Sequence, residues 1–378
     1  MFTPADHQFM TRALELAARG LYTTSPNPRV GAVVVKDGEI VGEGWHRRAG
    51  EPHAEIVALA QAGGRARGAT VYITLEPCSH FGRTPPCVDA LVEAHVARVV
   101  AAMEDPNPRI DGRGLERLRA AGVDVRCGLL QQEAEELNVG FVSRMTRGLP
   151  WVRMKVAASL DGRTALANGA SQWITAEPAR IDGHAWRARA CAVLTGIGTV
   201  RGDDPRMNVR HVQTDRQPLR VLVDSRLEVP LEAAIIRGGN TLVACAVDNP
   251  PKAGELRDRG VEVVRIANDS AKVDLGALLR ELGERGLNEI HVEAGYRLNG
   301  SLLREGCVDE LLIYFAPSLL GDAVGMFELG AIDDLERRTR LAFGPTQRVG
   351  DDLRLLARVV REPGAHGPQG AVAAVRED

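Results

Sequence analysis

Aromatic side chains are scarce: Phe, Trp and Tyr make up 4% of the 378 residues, which argues against a groove of interleaved aromatics and bases for single-stranded nucleic acid. A basic excess is missing too. The 47 Lys and Arg are offset by 50 Asp and Glu, a formal charge of -3, so nucleic acid is not expected as a partner, although a local phosphate site is compatible with this balance. No apolar run reaches the roughly 18 residues of a membrane span. The stretch Met1 to His7 lacks the charged-then-apolar order of a secretion signal, and a cytoplasmic location without a membrane partner is expected. Cysteines are few and scattered. Of the six, Cys78 and Cys87 are close in sequence, whereas Cys127, Cys191, Cys245 and Cys307 read as isolated thiols of a reducing compartment. No internal repeat is evident.

The length is too great for a single core, so two domains are expected. Helix and strand patterns alternate through the first part: helix over 6–19, strand over 31–35, helix over 54–62, strands over 71–75 and 98–103, and helices over 114–121 and 131–139. A fresh strand begins at Trp151, after Thr146-Arg147-Gly148-Leu149-Pro150, which places the boundary at residues 146–150. The fold class is α/β in both halves, with domains over 1–146 and 150–361. Residues 362–378 open on a Pro/Gly-rich stretch that reads as a flexible tail.

The most informative pattern is His53-Ala54-Glu55 followed by Pro77-Cys78 and then Cys87. One imidazole and two thiolates make a three-ligand zinc set, and three protein ligands mark a catalytic site because the fourth position is kept for water, whose pKa falls to about 7. Two positions apart on a helix is a rotation of about 200°, so His53 and Glu55 can serve one cavity only at the helix's open end. His53 then binds metal while Glu55 moves protons. Cys87 falls in the first turn of a helix, where a thiolate is favoured. Taken singly, each cysteine reads more readily as a buried thiol or half of a disulfide, and His80, inside the spacer, is a rival ligand set aside because a lone histidine more often lies at the surface or just behind the ligands.

His-x-Glu with Pro-Cys-x-x-Cys is the signature of zinc nucleobase deaminases. Here eight residues, 79–86, separate the two cysteines. With that spacer and Thr24-Ser25-Pro26-Asn27-Pro28-Arg29-Val30-Gly31 upstream, residues 1 to about 146 resemble the deaminase half of bifunctional riboflavin-biosynthesis enzymes. The resemblance implies a cytidine-deaminase-like zinc domain.

In the second half, the run from Lys155 to Thr164 puts a cation, a hydroxyl and a carboxylate at a strand end. Gly196-x-Gly198 after a strand hints at a dinucleotide fingerprint, but the third glycine comes one place late, at Gly202, and Asp203-Asp204-Pro205 interrupts the helix that should follow. That reading is rejected. Through residues 155–164, 171–175, 196–205 and 291–295, residues 150–360 resemble the reductase half of the same family, similar in fold to dihydrofolate reductase. Ala294 stands where the family commonly has Gly.

The resemblance implies that Trp173, Thr199, Asp203, Ser225 and the loop from Gly295 contact NADPH, and that Ser171, Arg187, Met207, Arg210 and Glu293 contact the phosphorylated substrate. Arg187 and Arg210 suit a phosphate clamp, since guanidinium binds phosphate through two N–H groups; without the resemblance they would read equally well as solvated. The implied function is zinc-dependent hydrolytic deamination of a phosphoribosylaminopyrimidine, then NADPH-dependent reduction of its ribose to a ribityl chain. Asp203 and Lys155 both stand as candidates for moving the proton in the second step. The expected partners are this small phosphorylated pyrimidine and further copies of the chain.

Overall fold

The computed structural model describes residues 1–80, 85–108 and 112–361. The chain divides into two compact units, residues 1–147 and residue 148 onward. The terminal stretch read as a tail, residues 362–378, lies outside the described residues.

The first unit runs α1 (Pro4–Ala18), β1 (Gly31–Lys36), β2 (Glu39–Trp45), α2 (Ala54–Ala62), β3 (Thr70–Ile73), α3 (Cys87–Glu93), β4 (Arg98–Ala101), α4 (Arg113–Ala120), β5 (Asp124–Cys127), α5 (Gln131–Leu137) and α6 (Val139–Arg147). The sheet order is β2-β1-β3-β4-β5, with β1 antiparallel to both neighbours and β3, β4 and β5 parallel. The period of two in a strand sends Ala32 and Val34 of β1 to a core shared with Ala54, Ala58 and Ala62 of α2, and Val33 and Val35 to a core shared with Met10, Ala13 and Leu16 of α1. Each helix therefore covers one face of the sheet.

Three differences from the sequence reading have local causes. Helix α1 starts at Pro4, not residue 6, because Thr3 and Asp6 cap it reciprocally: the Asp6 N–H donates to Thr3 Oγ1 at 3.1 Å and the Thr3 N–H to Asp6 Oδ2 at 2.7 Å. Strand β2 was not anticipated, and its run carries Gly42 and Gly44. They are glycines because α2 lies against them: a Cβ on Gly44 would sit 2.2 Å from the Ala54 carbonyl oxygen. The helix expected over 131–139 breaks at Asn138, whose side chain accepts from the Arg29 N–H at 2.7 Å and donates to the Arg29 carbonyl at 2.9 Å.

The second unit contains β6 (Trp151–Ser159), β7 (Arg163–Ala165), α7 (Glu177–Arg189), β8 (Ala192–Gly196), α8 (Ile197–Asp203), β9 (Leu219–Val223), β10 (Thr241–Cys245), α9 (Pro250–Arg257), β11 (Val261–Arg265), α10 (Leu275–Glu284), β12 (Glu289–Val292), α11 (Tyr296–Arg304), β13 (Glu310–Ala316), β14 (Val324–Gly325), β15 (Leu341–Val349) and β16 (Asp352–Val359). Nine strands form one sheet in the order β11-β10-β9-β8-β12-β6-β13-β16-β15. The pairs from β11 to β13 are parallel, and β16 and β15 close one edge antiparallel. One face packs on Leu278, Leu279 and Leu282 of α10 and Leu302 of α11, and the other on Leu256 of α9 and the 227–236 segment. The chain enters at β6, in mid-sheet, so β12 is inserted between β6 and β8. A sheet whose connections diverge in this way leaves a crevice at its carboxyl ends.

Candidate active sites

Three turns of chain meet in the first unit. His53 is the N-cap of α2, with extended backbone (φ -71°, ψ 162°), so its ring stands at the helix entrance while Glu55 occupies the first turn. Cys87 is the first residue of α3, after Pro86. Cys78 follows β3 by a short turn and receives the Cys87 backbone N–H on its sulfur at 3.3 Å. His53 Nδ1 lies 3.2 Å from Cys87 Sγ and 3.6 Å from Cys78 Sγ. Tetrahedral zinc with bonds of about 2.1 Å to nitrogen and 2.3 Å to sulfur sets its ligand atoms roughly 3.6 Å apart. The residues present therefore fit that ion. Among the described residues this is the one cluster of the kind, and His80 is not part of it.

The electrostatics separate the roles. Burial, reinforced by Cys78, pushes the Glu55 carboxyl up to about 7, and the residue is 3% exposed. Its hydrogen bond with Cys87 pulls Cys78 down to about 4 against its burial, with His53 helping; the same bond, and then burial, push Cys87 up. His53 is raised, first by Cys78.

Two buried groups beside the cluster were not singled out from the sequence. His46 packs edge-on against His53, ring centroids 5.3 Å apart, with one ring nitrogen 3.1 Å from Asn27 Nδ2 and the other 3.2 Å from the Pro52 carbonyl oxygen. Glu76 accepts backbone N–H groups from Asp105, Gly112, Gly114 and Leu115 at 2.7 to 3.3 Å, tying the start of α4 to the turn that carries Cys78. Asn27 stands inside the Thr24–Gly31 run already noted, which was its signal. Glu76 had none.

In the second unit, Glu293 follows β12 directly. Arg187, from the last turns of α7, donates to it through Nε and, at 2.9 Å, through Nη2, and donates through Nη1 to the Asn208 carbonyl at 3.0 Å. His291 Nε2 is 3.3 Å from the same carboxylate. Burial opposes the charge on Glu293, yet Arg187 and His291 hold its carboxyl well below the usual range. Burial lowers Lys155 of β6, with Glu293 opposing and Arg187 adding to the fall. Arg210 is exposed, bonded through Nη1 to Asn208 Oδ1 at 2.7 Å, and lowered by burial and by the charges of Arg187 and Arg206. Crowded cations of this kind describe a place where an anion would be stabilised. Met207 is buried with φ +52°, turning the chain between Arg206 and Asn208.

The other expected contacts gather less tightly. Gly295 caps α11, and a Cβ there would come 3.8 Å from Thr199 Oγ1 of α8. Ala294 packs against the sheet core. Asp203 closes α8, with its carboxylate 3.5 Å from Gln172 Nε2. Trp173 is 69% exposed with the Arg180 guanidinium 4.6 Å from its ring centre. Ser225 lies after β9 and accepts the Val273 N–H at 3.0 Å. Ser171 is half-buried on the loop before Trp173.

Comparison with known proteins sharpens this picture. A family model described as cytidine and deoxycytidylate deaminase zinc-binding region matches residues 3–103, and one for the RibD C-terminal domain matches residues 150–355. The riboflavin biosynthesis protein RibD of Escherichia coli (strain K12) is 49% identical over 364 residues, which span 93% of this chain and 98% of that protein. The chain belongs to the RibD family. The RibD of Aquifex aeolicus is 42% identical over 93% of this chain and 98% of its own length. Among solved structures, Acinetobacter baumannii RibD (form 1) superposes with a TM-score of 0.88 at 43% identity, covering 94% of this chain and 99% of that one. A Thermotoga maritima diaminohydroxyphosphoribosylaminopyrimidine deaminase/5-amino-6-(5-phosphoribosylamino)uracil reductase gives 0.83 at 33% identity, covering 94% and 99%.

As a RibD family member the chain is a bifunctional enzyme of riboflavin biosynthesis, a deaminase and a reductase. Its first fold is cytidine-deaminase-like and its second that of the RibD reductases, similar to dihydrofolate reductase. Zinc serves the deaminase and NADPH the reductase. Among the described residues no helix is long and apolar enough to cross a membrane.

Proposed function

We propose that residues 1–146 deaminate a diaminohydroxyphosphoribosylaminopyrimidine and that residues 150–361 reduce the resulting 5-amino-6-(5-phosphoribosylamino)uracil, the two reactions named for the Thermotoga maritima relative. The observation that carries the first half is the placement of Glu55, a buried carboxyl two residues beyond His53 at the mouth of α2. His53, Cys78 and Cys87 hold the metal. When bound, zinc supplies Lewis-acid activation of water, and NADPH supplies hydride. Glu55 takes the proton lost by the attacking water and passes it to the departing amine, so that the ring carbon gains oxygen, its C–N bond breaks and ammonia leaves. A carboxyl held near 7 suits a group that must both accept and return a proton.

In the second half, Arg210 and Arg187 with Ser171, Met207 and Glu293 orient the phosphorylated substrate, and Trp173, Thr199, Asp203, Ser225 and Gly295 hold NADPH. Reduction at the ribose C1 opens the ring, whose oxygen takes a proton to complete the ribityl chain. Lys155 suits that proton better than Asp203, because Lys155 is half-buried on β6 within the charge influence of Glu293 and its affinity for the proton is lowered, whereas Asp203 is exposed.

The enzyme works in the cytoplasm as a homo-oligomer without nucleic acid. Assembly is supported by the edge strand β15, exposed along its length, where Phe343 is 76% exposed, with Leu341 two positions before it and Leu353 on the neighbouring β16 also exposed. The deciding experiment follows ammonia release and NADPH oxidation by the purified chain. Ammonia from the diamino substrate with no NADPH consumption on the deaminated one would reduce the second half to a binding module.

A further inference from the structure

We propose that His184 is a positioning residue of the reductase site, holding the backbone of Arg210 so that its guanidinium is presented to the substrate's phosphate; this rests on the phosphate reading of Arg210 given above. His184 lies on α7, three residues before Arg187, so the two side chains leave the same face of the helix. Its Nδ1 is 3.3 Å from the Arg210 backbone nitrogen. An amide N–H can only donate, so Nδ1 accepts and the ring is unprotonated there. The ring is buried and packs edge-on against His211, centroids 4.7 Å apart at 74°.

The surroundings keep it neutral. Burial first, and then the charges of Arg187, Arg210 and His211, lower His184 to about 4 against the opposing pull of Glu293. Protonation would remove the acceptor and add a cation to a place already crowded with them.

The segment it holds is fixed at three successive residues. Arg187 Nη1 donates to the Asn208 carbonyl at 3.0 Å, Gln217 accepts the N–H of Val209 at 2.8 Å and donates to its carbonyl at 3.1 Å, and His184 accepts the Arg210 N–H. Arg210's own side chain is exposed and touches Asn208 Oδ1. A long exposed side chain loses rotamer freedom when it binds an anion, and anchoring its backbone beforehand reduces that loss. His184 does not meet the phosphate itself. It acts through Arg210.

The test uses full-length protein and reductase kinetics with 5-amino-6-(5-phosphoribosylamino)uracil and with the same compound lacking its phosphate, read as KM or, where turnover is slow, as an inhibition constant. His184→Phe keeps the ring packing but removes the acceptor. It should raise KM for the phosphorylated compound about 3- to 10-fold, the range of one ordinary hydrogen bond, with kcat, KM for NADPH and the constant for the unphosphorylated compound unchanged. His184→Asn, whose side-chain oxygen can accept the same N–H, should restore KM. If His184→Phe does not fold, His184→Met takes its place as an apolar, adaptable side chain. An unchanged KM, an equal rise with both compounds, or no rescue by Asn overturns the proposal. Arg210→Ala is measured alongside: a rise there without one in His184→Phe sinks the positioning role alone, whereas no rise in either removes the phosphate reading and the proposal with it.

Discussion

Arg187 grips Glu293 with two guanidinium nitrogens and turns the remaining one onto the carbonyl of Asn208. An arginine used so completely is less a free phosphate hook than a strut between β12, α7 and the segment leading to Arg210. It keeps a mostly buried carboxylate charged at the crevice, beside Lys155.

The two arginines therefore part company on substitution. Arg210→Ala should raise KM for the phosphorylated substrate with little change in kcat, as expected when uniform binding is lost. Arg187→Ala should lower kcat as well and cost on the order of 3 kcal/mol of stability, because it takes the main partner from a mostly buried carboxylate and leaves it only His291. Kinetics and denaturant unfolding of the two variants, side by side, check this. Identical behaviour would mean that both act only on the phosphate.

Metal content tests the cluster at the mouth of α2. The purified chain should hold about one zinc under the three-ligand scheme, and Cys87→Ser should lose it together with deamination. Elemental analysis showing full metal in Cys87→Ser would move the site elsewhere.

Glu55→Gln should retain zinc while deamination falls by roughly 10²- to 10⁴-fold, the range for general acid–base groups. Reduction of substrate already deaminated should be unaffected, since the two units have separate cores. Loss of metal in this variant would make Glu55 structural, and loss of reduction would point to a shared site.

At the start of the chain, Asp6 caps α1, accepts Tyr72 Oη at 2.7 Å and pairs with Arg98 at 3.1 Å. Burial raises its pKa, but the Thr3 N–H and the Tyr72 hydroxyl outweigh it and bring the group down to about 2. A depressed carboxyl stabilises the fold above the unfolded pKa, near 3.9, and that stability is lost as pH falls through about 2. Asp6→Ala should lower Tm at pH 7 by an amount matching about 1 kcal/mol or more, with the gap to the parent narrowing towards pH 2. A gap that does not change with pH would assign the effect to packing.

Self-association gives a last check. Phe343→Lys places a charge on the exposed edge strand and should shift the sedimenting species towards a smaller mass. A parent chain that already sediments as a monomer removes the oligomer from the proposal.

Much of the deaminase site was legible because its residues lie in a few short stretches whose types state their chemistry. Pro86 before Cys87 announces one helix start and the His53-Ala54-Glu55 spacing demands another, and a helix start is where a ligand or a carboxyl can face a cavity. The reductase site was legible only through family resemblance. Its parts come from α7, β12 and the 207–210 segment, and what joins Arg187 to Glu293, 106 positions apart, is the insertion of β12 between β6 and β8, a long-range pairing that no local period records. The same holds for β2, hidden by glycines whose purpose appears only when α2 lies on them, and for Asn138, which ends a helix by bonding a residue 109 positions earlier. Ligand types, helix faces and the alternation within strands could be read from the chain alone, because these are properties of neighbours along it. Tertiary structure alone decided which cations share an anion, which carboxyl stays charged in the interior and which histidine must be neutral, because burial and distant charges set those.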